Sequence, residues 1–245
     1  MAHFRTRPSN YGEEKQTREY VSEVDLQSEK ILQSGLKNIL PDAGFYGEET
    51  GCQGYDHLRW IVDPLDGTTN FLSGLDQFSI SVALEKDGQT QLGVVYRPAS
   101  EEIYTAVRGQ EFRHNGQIRG MVSGQSLRQA LIGTGFPFRS PDLARHFFPC
   151  AEDILYRCRG IRRCGSAALD LCYVASGYLQ GFWESDLEPY DVAAAILFLE
   201  ETGCTVTNQR GESYSPYRDR IMICAPPQVH PELWPVIAGH YPEDI

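Results

Sequence analysis

Residues 60–71 read Trp-Ile-Val-Asp-Pro-Leu-Asp-Gly-Thr-Thr-Asn-Phe, and this is the most informative stretch of the chain. Its first three residues are apolar, which is typical of a buried strand near its end. Pro64 has a fixed φ and favours an extended conformation for Asp63, while Gly67 permits a sharp turn. The stretch therefore predicts two carboxylates, those of Asp63 and Asp66, held close together where a strand ends.

Two neighbouring carboxylates repel each other, so a cation between them would stabilise the pair. Hard divalent cations such as Mg²⁺ prefer oxygen ligands and suit such a gap. An Asp-Gly pair is also an ordinary turn signal, and for an isolated Asp-x-x-Asp-Gly a solvated turn is the commoner interpretation. The hydroxyls of Thr68 and Thr69, together with acids elsewhere in the chain, favour the metal site here.

The motif resembles the signature of the inositol monophosphatase family, a group of Mg²⁺-dependent, Li⁺-sensitive phosphatases. Residues 63–68 match its Asp-Pro-(Ile/Leu)-Asp-Gly-Thr pattern at every position, and the ending Thr-Asn-Phe at 69–71 is typical of the inositol monophosphatase-like branch. The resemblance covers about Val21 to Gly203. It implies a mixed α+β fold, the layered α-β-α-β-α sandwich shared with fructose-1,6-bisphosphatase. It also implies a homodimer and sensitivity to lithium.

Two further motifs fit the same family. Gly-Glu-Glu-Thr at 47–50 precedes the signature, and Tyr-Asp-Val-Ala-Ala at 190–194 matches the family's second signature at a helix start. Alone, two adjacent glutamates are usually a solvated patch, and Asp191 could simply be a helix N-cap. In the family, the first glutamate, here Glu48, and the aspartate, here Asp191, bind metal.

The resemblance implies a site for two or three Mg²⁺ ions. Its metal ligands would be Glu48, Asp63, the backbone carbonyl of Leu65, Asp66 and Asp191. Asp63 would bridge two ions; Glu48, Leu65 and Thr68 would lie on the side of the first, and Asp66 and Asp191 would hold the second. Two such ions suit phosphoryl transfer, because one activates water and the other stabilises the leaving oxygen.

The catalytic residues implied are Glu48, Thr68 and Asp25. Thr68 could position the attacking water with a carboxylate behind its hydroxyl, and Asp25 aligns with the aspartate that pairs with this threonine in relatives. A lone aspartate early in a helix is more often simply an acid of the first turn.

Substrate contacts are predicted in the second half of the chain. Gly165, Ser166 and Ala167 match the family's Gly-(Ser/Thr)-Ala, and free N–H groups at a helix start favour phosphate, although an ordinary serine N-cap also fits. Glu184 precedes Asp191 by seven residues and matches an acid that bonds substrate hydroxyls in inositol-specific members. The predicted substrate-binding set is Asp66, Gly67, Thr68, Gly165, Ser166, Ala167, Glu184 and Asp191.

Composition restricts the possible partners. The 245 residues carry 33 acidic and 22 basic side chains, a formal net charge of −11, which disfavours nucleic acid. No apolar run approaches a membrane span, and no signal peptide is indicated. The seven cysteines include no Cys-x-x-Cys pair, so we expect reduced, mostly buried thiols in a cytoplasmic protein.

Periodicity predicts a mixed chain without strict βαβ alternation. We expect one phosphatase domain over residues 1–245, with an N-terminal half at about 21–140 and a C-terminal half at about 141–245. The predicted helices cover residues 21–40, 141–156, 166–176 and 192–202. The predicted strands lie at 45–46, 78–84, 91–96, 102–107, 131–135, 179–183, 205–207 and 220–225. Residues 1–20 receive no assignment, and Lys15 is the candidate for the lysine of the family's metal-site loop.

These observations favour a Mg²⁺-dependent phosphatase acting on a small phosphomonoester, with inositol monophosphate as the first candidate. Fructose-1,6-bisphosphate, histidinol phosphate and a nucleotide phosphate remain open within the superfamily. A non-catalytic binding or regulatory relative is the alternative from another class, although no ligand position is lost. A two-metal nuclease is disfavoured by the charge of −11.

Overall fold

The computed structural model describes residues 1, 4–5, 13–16, 19–21, 23–54, 57–120 and 125–245, and for 13–16 and 19–21 it describes the backbone alone. Within these ranges the helices are α1 (Glu23–Ile39), α2 (Thr68–Leu72), α3 (Ala144–Arg157), α4 (Ala167–Ala175), α5 (Pro189–Glu201) and α6 (His230–Ala238). The strands are β1 (Glu13–Gln16), β2 (Glu19–Val21), β3 (Gly44–Gly47), β4 (Gly51–Gln53), β5 (Leu58–Asp66), β6 (Ser79–Lys86), β7 (Gln89–Arg97), β8 (Glu102–Val107), β9 (Arg113–His114), β10 (Gln117–Ile118), β11 (Leu131–Thr134), β12 (Gly160–Arg162), β13 (Gly181–Ser185), β14 (Thr205–Thr207) and β15 (Ile221–Ala225).

Two large sheets organise these strands. The first has eight strands in the order β10-β9-β8-β7-β6-β5-β3-β4, and the second has five in the order β12-β11-β13-β15-β14. In the first sheet β5 pairs parallel with β3 and antiparallel with β6, so the signature strand lies inside the sheet. Strands β1 and β2 form a separate two-stranded ribbon.

Helices alternate with the sheets in five layers. Leu32 and Leu36 of α1 cover one face of the first sheet, at Trp60 and Val62. Helices α4 and α5 lie between the two sheets, in one core with residues of β5, β7, β13 and β15. Helices α3 and α6 cover the outer face of the second sheet. The predicted α-β-α-β-α sandwich is therefore confirmed.

The strands of the second sheet explain why both of its faces are covered. Successive side chains of a strand point to opposite faces. In β13, Phe182 belongs to the central core with α5, whereas the next residue, Trp183, belongs to the outer core with α3 and α6. Both are fully buried, so two consecutive apolar residues of β13 cover opposite faces of the sheet.

Several predicted elements need correction. Strand β5 does not end before the acids: it continues through Asp63 to Asp66, with an irregular register between them. Helices α2 and α6 were not predicted, because α2 has only five residues and α6 carries Pro235. Residues 13–16 and 19–21 form strands, although no element is predicted there from the sequence. The side chain of Lys15 lies outside the described part of the chain.

The first sheet uses strands up to residue 118, and the second begins with β11 at residue 131. The proposed halves, divided at about residue 140, stay a prediction. Among the described residues, no helix has the length and apolarity needed to cross a bilayer. Three cysteines are buried, three are partly buried and Cys52 is exposed, and the described residues contain no disulfide.

Candidate active site

The signature residues lie where β5 passes into α2. The N–H of Leu65 donates to Oδ1 of Asp63 at 2.9 Å, which fixes that carboxylate against its own backbone. Gly67 follows with φ +95°, a left-handed conformation. A Cβ at Gly67 would lie 2.9 Å from the carbonyl oxygen of Gln77 and 3.1 Å from that of Gly165, so glycine is required both for the turn and for the close approach.

One cleft of about 740 Å³ collects nearly all of the predicted residues. Those that line it are Glu48, Asp63, Leu65, Asp66, Gly67, Thr68, Gly165, Ser166, Ala167, Glu184 and Asp191. Its volume lies within the ordinary range for small-molecule sites. The structure thus brings together acids from β5, from the β3–β4 turn and from α5, which are far apart in the sequence.

Asp25 is the one predicted residue that does not line the cleft. It is fully buried in the first turn of α1 and lies behind Thr68. The Thr68 hydroxyl donates to Oδ1 of Asp25 at 2.8 Å and lies 3.0 Å from the carbonyl oxygen of Leu65. Both are acceptors for the single Thr68 hydroxyl hydrogen, so the lone pairs of the Thr68 oxygen remain available to accept a hydrogen bond.

Glu48 stands in the turn between β3 and β4, and its N–H donates to the carbonyl of Val62 at 3.1 Å. The turn is held from behind by Glu29 of α1, a buried acid that the sequence did not single out. One of its oxygens accepts the N–H of Glu49 at 2.8 Å. A Cβ at Gly47 would overlap the Glu29 carboxylate, so Gly47 lets α1 approach this turn.

Asp66 points at the N-terminus of α4. Oδ2 accepts the Ser166 hydroxyl at 2.6 Å and the N–H of Ala168 at 2.8 Å, and Oδ1 accepts the N–H of Ala167 at 3.3 Å. Burial and the charge of Asp191 nevertheless raise the pKa of Asp66 to about 6, although these bonds lower it. The N–H groups predicted to face phosphate are thus bonded to Asp66, and a phosphate role for this turn stays a prediction.

Asp191 is not the N-cap of α5. Glu188 is the N-cap and Asp191 is the third residue of the helix, the two forming a capping box. Oδ2 of Asp191 accepts the N–H of Glu188 at 2.7 Å and Nη1 of Arg139 at 2.9 Å. Arg139 is not predictable from the sequence as a site residue, because nothing in its local sequence relates it to a carboxylate 52 residues away.

The acids of the cleft repel one another. The pKa of Asp63 is raised well above its usual range, first by burial and then by the charges of Glu48, Asp66 and Asp191. Among the described residues, no group of three or more His, Cys, Asp or Glu side chains is placed to hold a metal ion as a cluster. The donor set of carboxylates and the Leu65 carbonyl is nevertheless the all-oxygen set that Mg²⁺ prefers, and a cation would relieve the repulsion.

Glu184 lines the cleft from β13, opposite Gly135. A Cβ at Gly135 would overlap the Glu184 carboxyl group, so glycine there makes room for this acid. Burial, followed by the charges of Asp170 and Asp191, raises the pKa of Glu184 well above its usual range. Asp170 of α4 is a further buried acid that the sequence did not identify, and burial raises its pKa to about 7.

The rim of the cleft combines cationic and aromatic side chains that sequence reasoning also missed. The Arg163 guanidinium lies 5.5 Å from the ring centre of Phe136 and 5.1 Å from that of Phe138. Phe136 in turn packs on the buried Phe147 at 5.6 Å, which anchors the rim to the core. The Phe-Pro-Phe sequence at 136–138 was a possible signal for this feature, but it predicted only the end of a strand.

The model of the inositol monophosphatase family matches residues 1–240. The chain therefore belongs to the inositol monophosphatase family, and membership supports phosphatase activity. It is 40% identical over 226 residues to an inositol-1-monophosphatase of Rhizobium meliloti, covering 91% of this chain and 85% of that protein. It is also 37% identical over 221 residues to the Nus factor SuhB of Pasteurella multocida, covering 89% and 82% respectively.

Solved structures agree with both groups of relatives. The suhB protein of Bartonella henselae superimposes with a TM-score of 0.88 at 36% identity, covering 92% of this chain and 87% of that one. The IMPase of Thermotoga maritima superimposes with a TM-score of 0.86 at 29% identity, covering 94% and 88%. The fold is therefore shared by a solved structure named IMPase and by one named suhB.

Proposed function

We propose that this protein hydrolyses a small phosphomonoester in a reaction that depends on Mg²⁺, with inositol monophosphate as the first candidate substrate. The observation that carries the proposal is the convergence of Glu48, Asp63, Asp66 and Asp191 on one cleft. Thr68, backed by Asp25, lies at the same place. The family is generally Mg²⁺-dependent and acts on small phosphate esters.

The cleft carboxylates need a counter-charge before they can accept an anionic ester. Glu48, Asp63, the carbonyl of Leu65, Asp66 and Asp191 are the proposed holders of Mg²⁺. Divalent cations bound there would offset the charge of the phosphate and make a bound water more acidic. Burial, followed by the same crowding of negative charge, raises the pKa values of Asp63 and Asp66.

Thr68 is the proposed positioning group for the attacking water. Its hydroxyl hydrogen is shared by two acceptors, the Asp25 carboxylate and the Leu65 carbonyl. The Thr68 oxygen can therefore accept a hydrogen bond from the attacking water and orient a lone pair of that water toward phosphorus. Burial of Asp25 keeps this orientation fixed. Glu48 completes the catalytic set beside Thr68. Glu184, across the cleft, is the proposed contact for hydroxyls of the leaving alcohol.

The test is phosphate release from a panel of esters: inositol 1-phosphate, fructose 1,6-bisphosphate, histidinol phosphate and a nucleoside monophosphate. We expect release to require Mg²⁺, to be fastest with inositol 1-phosphate and to be inhibited by millimolar lithium. Equal release after exhaustive EDTA treatment would contradict the metal site. Faster release from another ester would reassign the substrate within the superfamily.

A second candidate role is binding to a protein or RNA partner. It rests on the relatives named Nus factor SuhB, whose names suggest such partners. The net charge of −11 disfavours direct nonspecific contact with RNA. Complementation of a bacterium that lacks its own SuhB separates the two roles. Rescue by both the wild type and Asp66→Asn would support a non-catalytic role, and rescue by the wild type alone would support the enzyme.

A further inference from the structure

One of the proposed metal ligands, Asp191, forms an ion pair with an arginine. Nη1 of Arg139 donates to Oδ2 of Asp191 at 2.9 Å, and the Asp191 side chain is 8% exposed whereas that of Arg139 is 37% exposed. Arg139 lies on the irregular segment between β11 and α3. The pair therefore joins a carboxylate fixed on a buried helix to a guanidinium on a more exposed segment.

The two proposed ligands of the second ion differ in their protein partners. Asp66 is held by neutral donors, the Ser166 hydroxyl and backbone N–H groups, which leave its negative charge in place. Asp191 is held by a neutral N–H and by a guanidinium, which stays protonated at any physiological pH. Of these two ligands, Asp191 is the one that forms an ion pair with Arg139.

We infer that Arg139 competes with the divalent cation for Asp191 and thereby sets the affinity of the second metal site. The inference rests on the proposed function, because it takes Asp66 and Asp191 as holders of that ion. A guanidinium and a divalent cation cannot both receive the full charge of one carboxylate, so each weakens the other's binding.

The partial exposure of Arg139 limits how strongly it can weaken cation binding at Asp191. A partly exposed ion pair is modestly stabilising, because solvent screens it and holding a long side chain costs entropy. Arg139 therefore tunes the site and does not block it. Arg163 gives a matched comparison, because it lines the same cleft. Among the described residues it makes no ion pair with a carboxylate. Its guanidinium packs on the rings of Phe136 and Phe138 instead.

The test measures Mg²⁺ binding to the full-length protein by isothermal titration calorimetry, with no substrate present. Arg139→Gln should bind Mg²⁺ about fivefold more tightly than the wild type, the amount expected for loss of one partly exposed ion pair. Arg139→Lys, which keeps the positive charge, should stay close to the wild type. Arg163→Gln reports the general effect of removing a positive charge from the cleft, and Asp191→Asn identifies the heat that belongs to the second site.

Tighter binding by Arg139→Gln than by Arg163→Gln, with Arg139→Lys near the wild type, supports the inference. An Arg139→Gln affinity equal to that of the wild type, or changed only as much as in Arg163→Gln, overturns it while leaving the proposed function intact. If neither the wild type nor Arg139→Gln binds Mg²⁺ at millimolar concentration, the inference and the metal-dependent function fail together.

Discussion

Asp66 shows how far the behaviour of a single carboxylate depends on its surroundings. Burial and the neighbouring Asp191 favour its protonated form, whereas Ser166 and two backbone N–H groups favour the charged form, and the balance raises its pKa to about 6. A nearby divalent cation would shift that balance toward the charged form. The hydrogen bonds hold the carboxylate in one orientation, and the charge is what the proposed metal site needs.

Asp66→Asn should lower kcat by on the order of 10² or more, because it removes charge from a metal site while nearly preserving shape. The fold should survive, since removing one of several like charges relieves repulsion. Phosphate release at limiting Mg²⁺ and thermal unfolding measure the two effects. Glu49→Gln is the control, because it neutralises an acid that follows Glu48 in the chain and is not assigned as a ligand. An Asp66→Asn enzyme with most of the wild-type rate would refute the ligand assignment.

Glu184 is expected to affect the choice of ester rather than the chemistry. Glu184→Ala should lower kcat/KM for a hydroxyl-rich ester by about tenfold, the loss of one or two hydrogen bonds, and should change little for an aryl phosphate without hydroxyls. Glutamine has nearly the shape of glutamate and keeps a carbonyl acceptor, so Glu184→Gln should retain more activity than Glu184→Ala.

Equal losses on both esters would show instead that Glu184 supports the metal site or the fold. Gly135→Ala provides an independent check, because the new methyl group displaces the Glu184 carboxyl without removing it. It should reproduce the selective loss seen in Glu184→Ala.

At the scale of elements, the position of α5 decides where Asp191 lies. The helix is buried between the two sheets, and its contact with β7 depends on Gly93. A Cβ at Gly93 would lie 2.8 Å from the carbonyl oxygen of Ala194 and 2.9 Å from the Phe198 ring. The close approach of strand and helix therefore requires a residue without a side chain.

Gly93→Ala should destabilise the protein by about 1–3 kcal/mol, because the methyl group overpacks this contact. Urea unfolding measures the change. Gly35→Ala in α1 is the matched control: nothing lies within 4 Å of the added methyl group, and alanine in an exposed helix interior stabilises by about 0.5–1 kcal/mol. A Gly93→Ala protein as stable as Gly35→Ala would show that α5 can shift freely against β7.

At the scale of the whole molecule, the first sheet ends in an exposed apolar face. Ile103, Val107 and Ile118 of β8 and β10 are 39%, 39% and 57% exposed. Members of the family are commonly oligomeric, and a second copy of this chain is the predicted cover for this face. The interface would lie far along the sheet from β5, on which the signature acids stand.

Light scattering should therefore give a mass twice the 27.6 kDa of one chain at micromolar concentration. Ile118→Lys places a charge on the apolar face and should shift the protein toward monomer. Ile39→Lys, which alters an isoleucine 72% exposed on α1, should leave the mass unchanged. A monomeric wild type, or equal effects of the two variants, would reject this face as the dimer contact.

Local features of the fold, such as turns and hairpins, follow from the sequence alone, because short stretches of residues encode them. The turn at Gly67 and the hairpins of the first sheet follow from backbone preferences of a few neighbouring residues. Resemblance to a family supplied the layered sandwich, because periodicity alone does not order strands in a sheet. The candidate ligands could likewise be named, since each stands in a local motif.

The contacts that position those residues depend on the tertiary structure, because their partners are distant in the sequence. The bond from Ser166 to Asp66 spans 100 positions of sequence, and that from Arg139 to Asp191 spans 52. Gly135 is required only because Glu184 arrives beside it from a neighbouring strand. Such pairs form when α4 and α5 are packed between two sheets, so their energies depend on distances that no local pattern specifies. For the same reason the proposed metal ligands could be named from the sequence, whereas the buried Asp170 and the arginine paired with Asp191 could not.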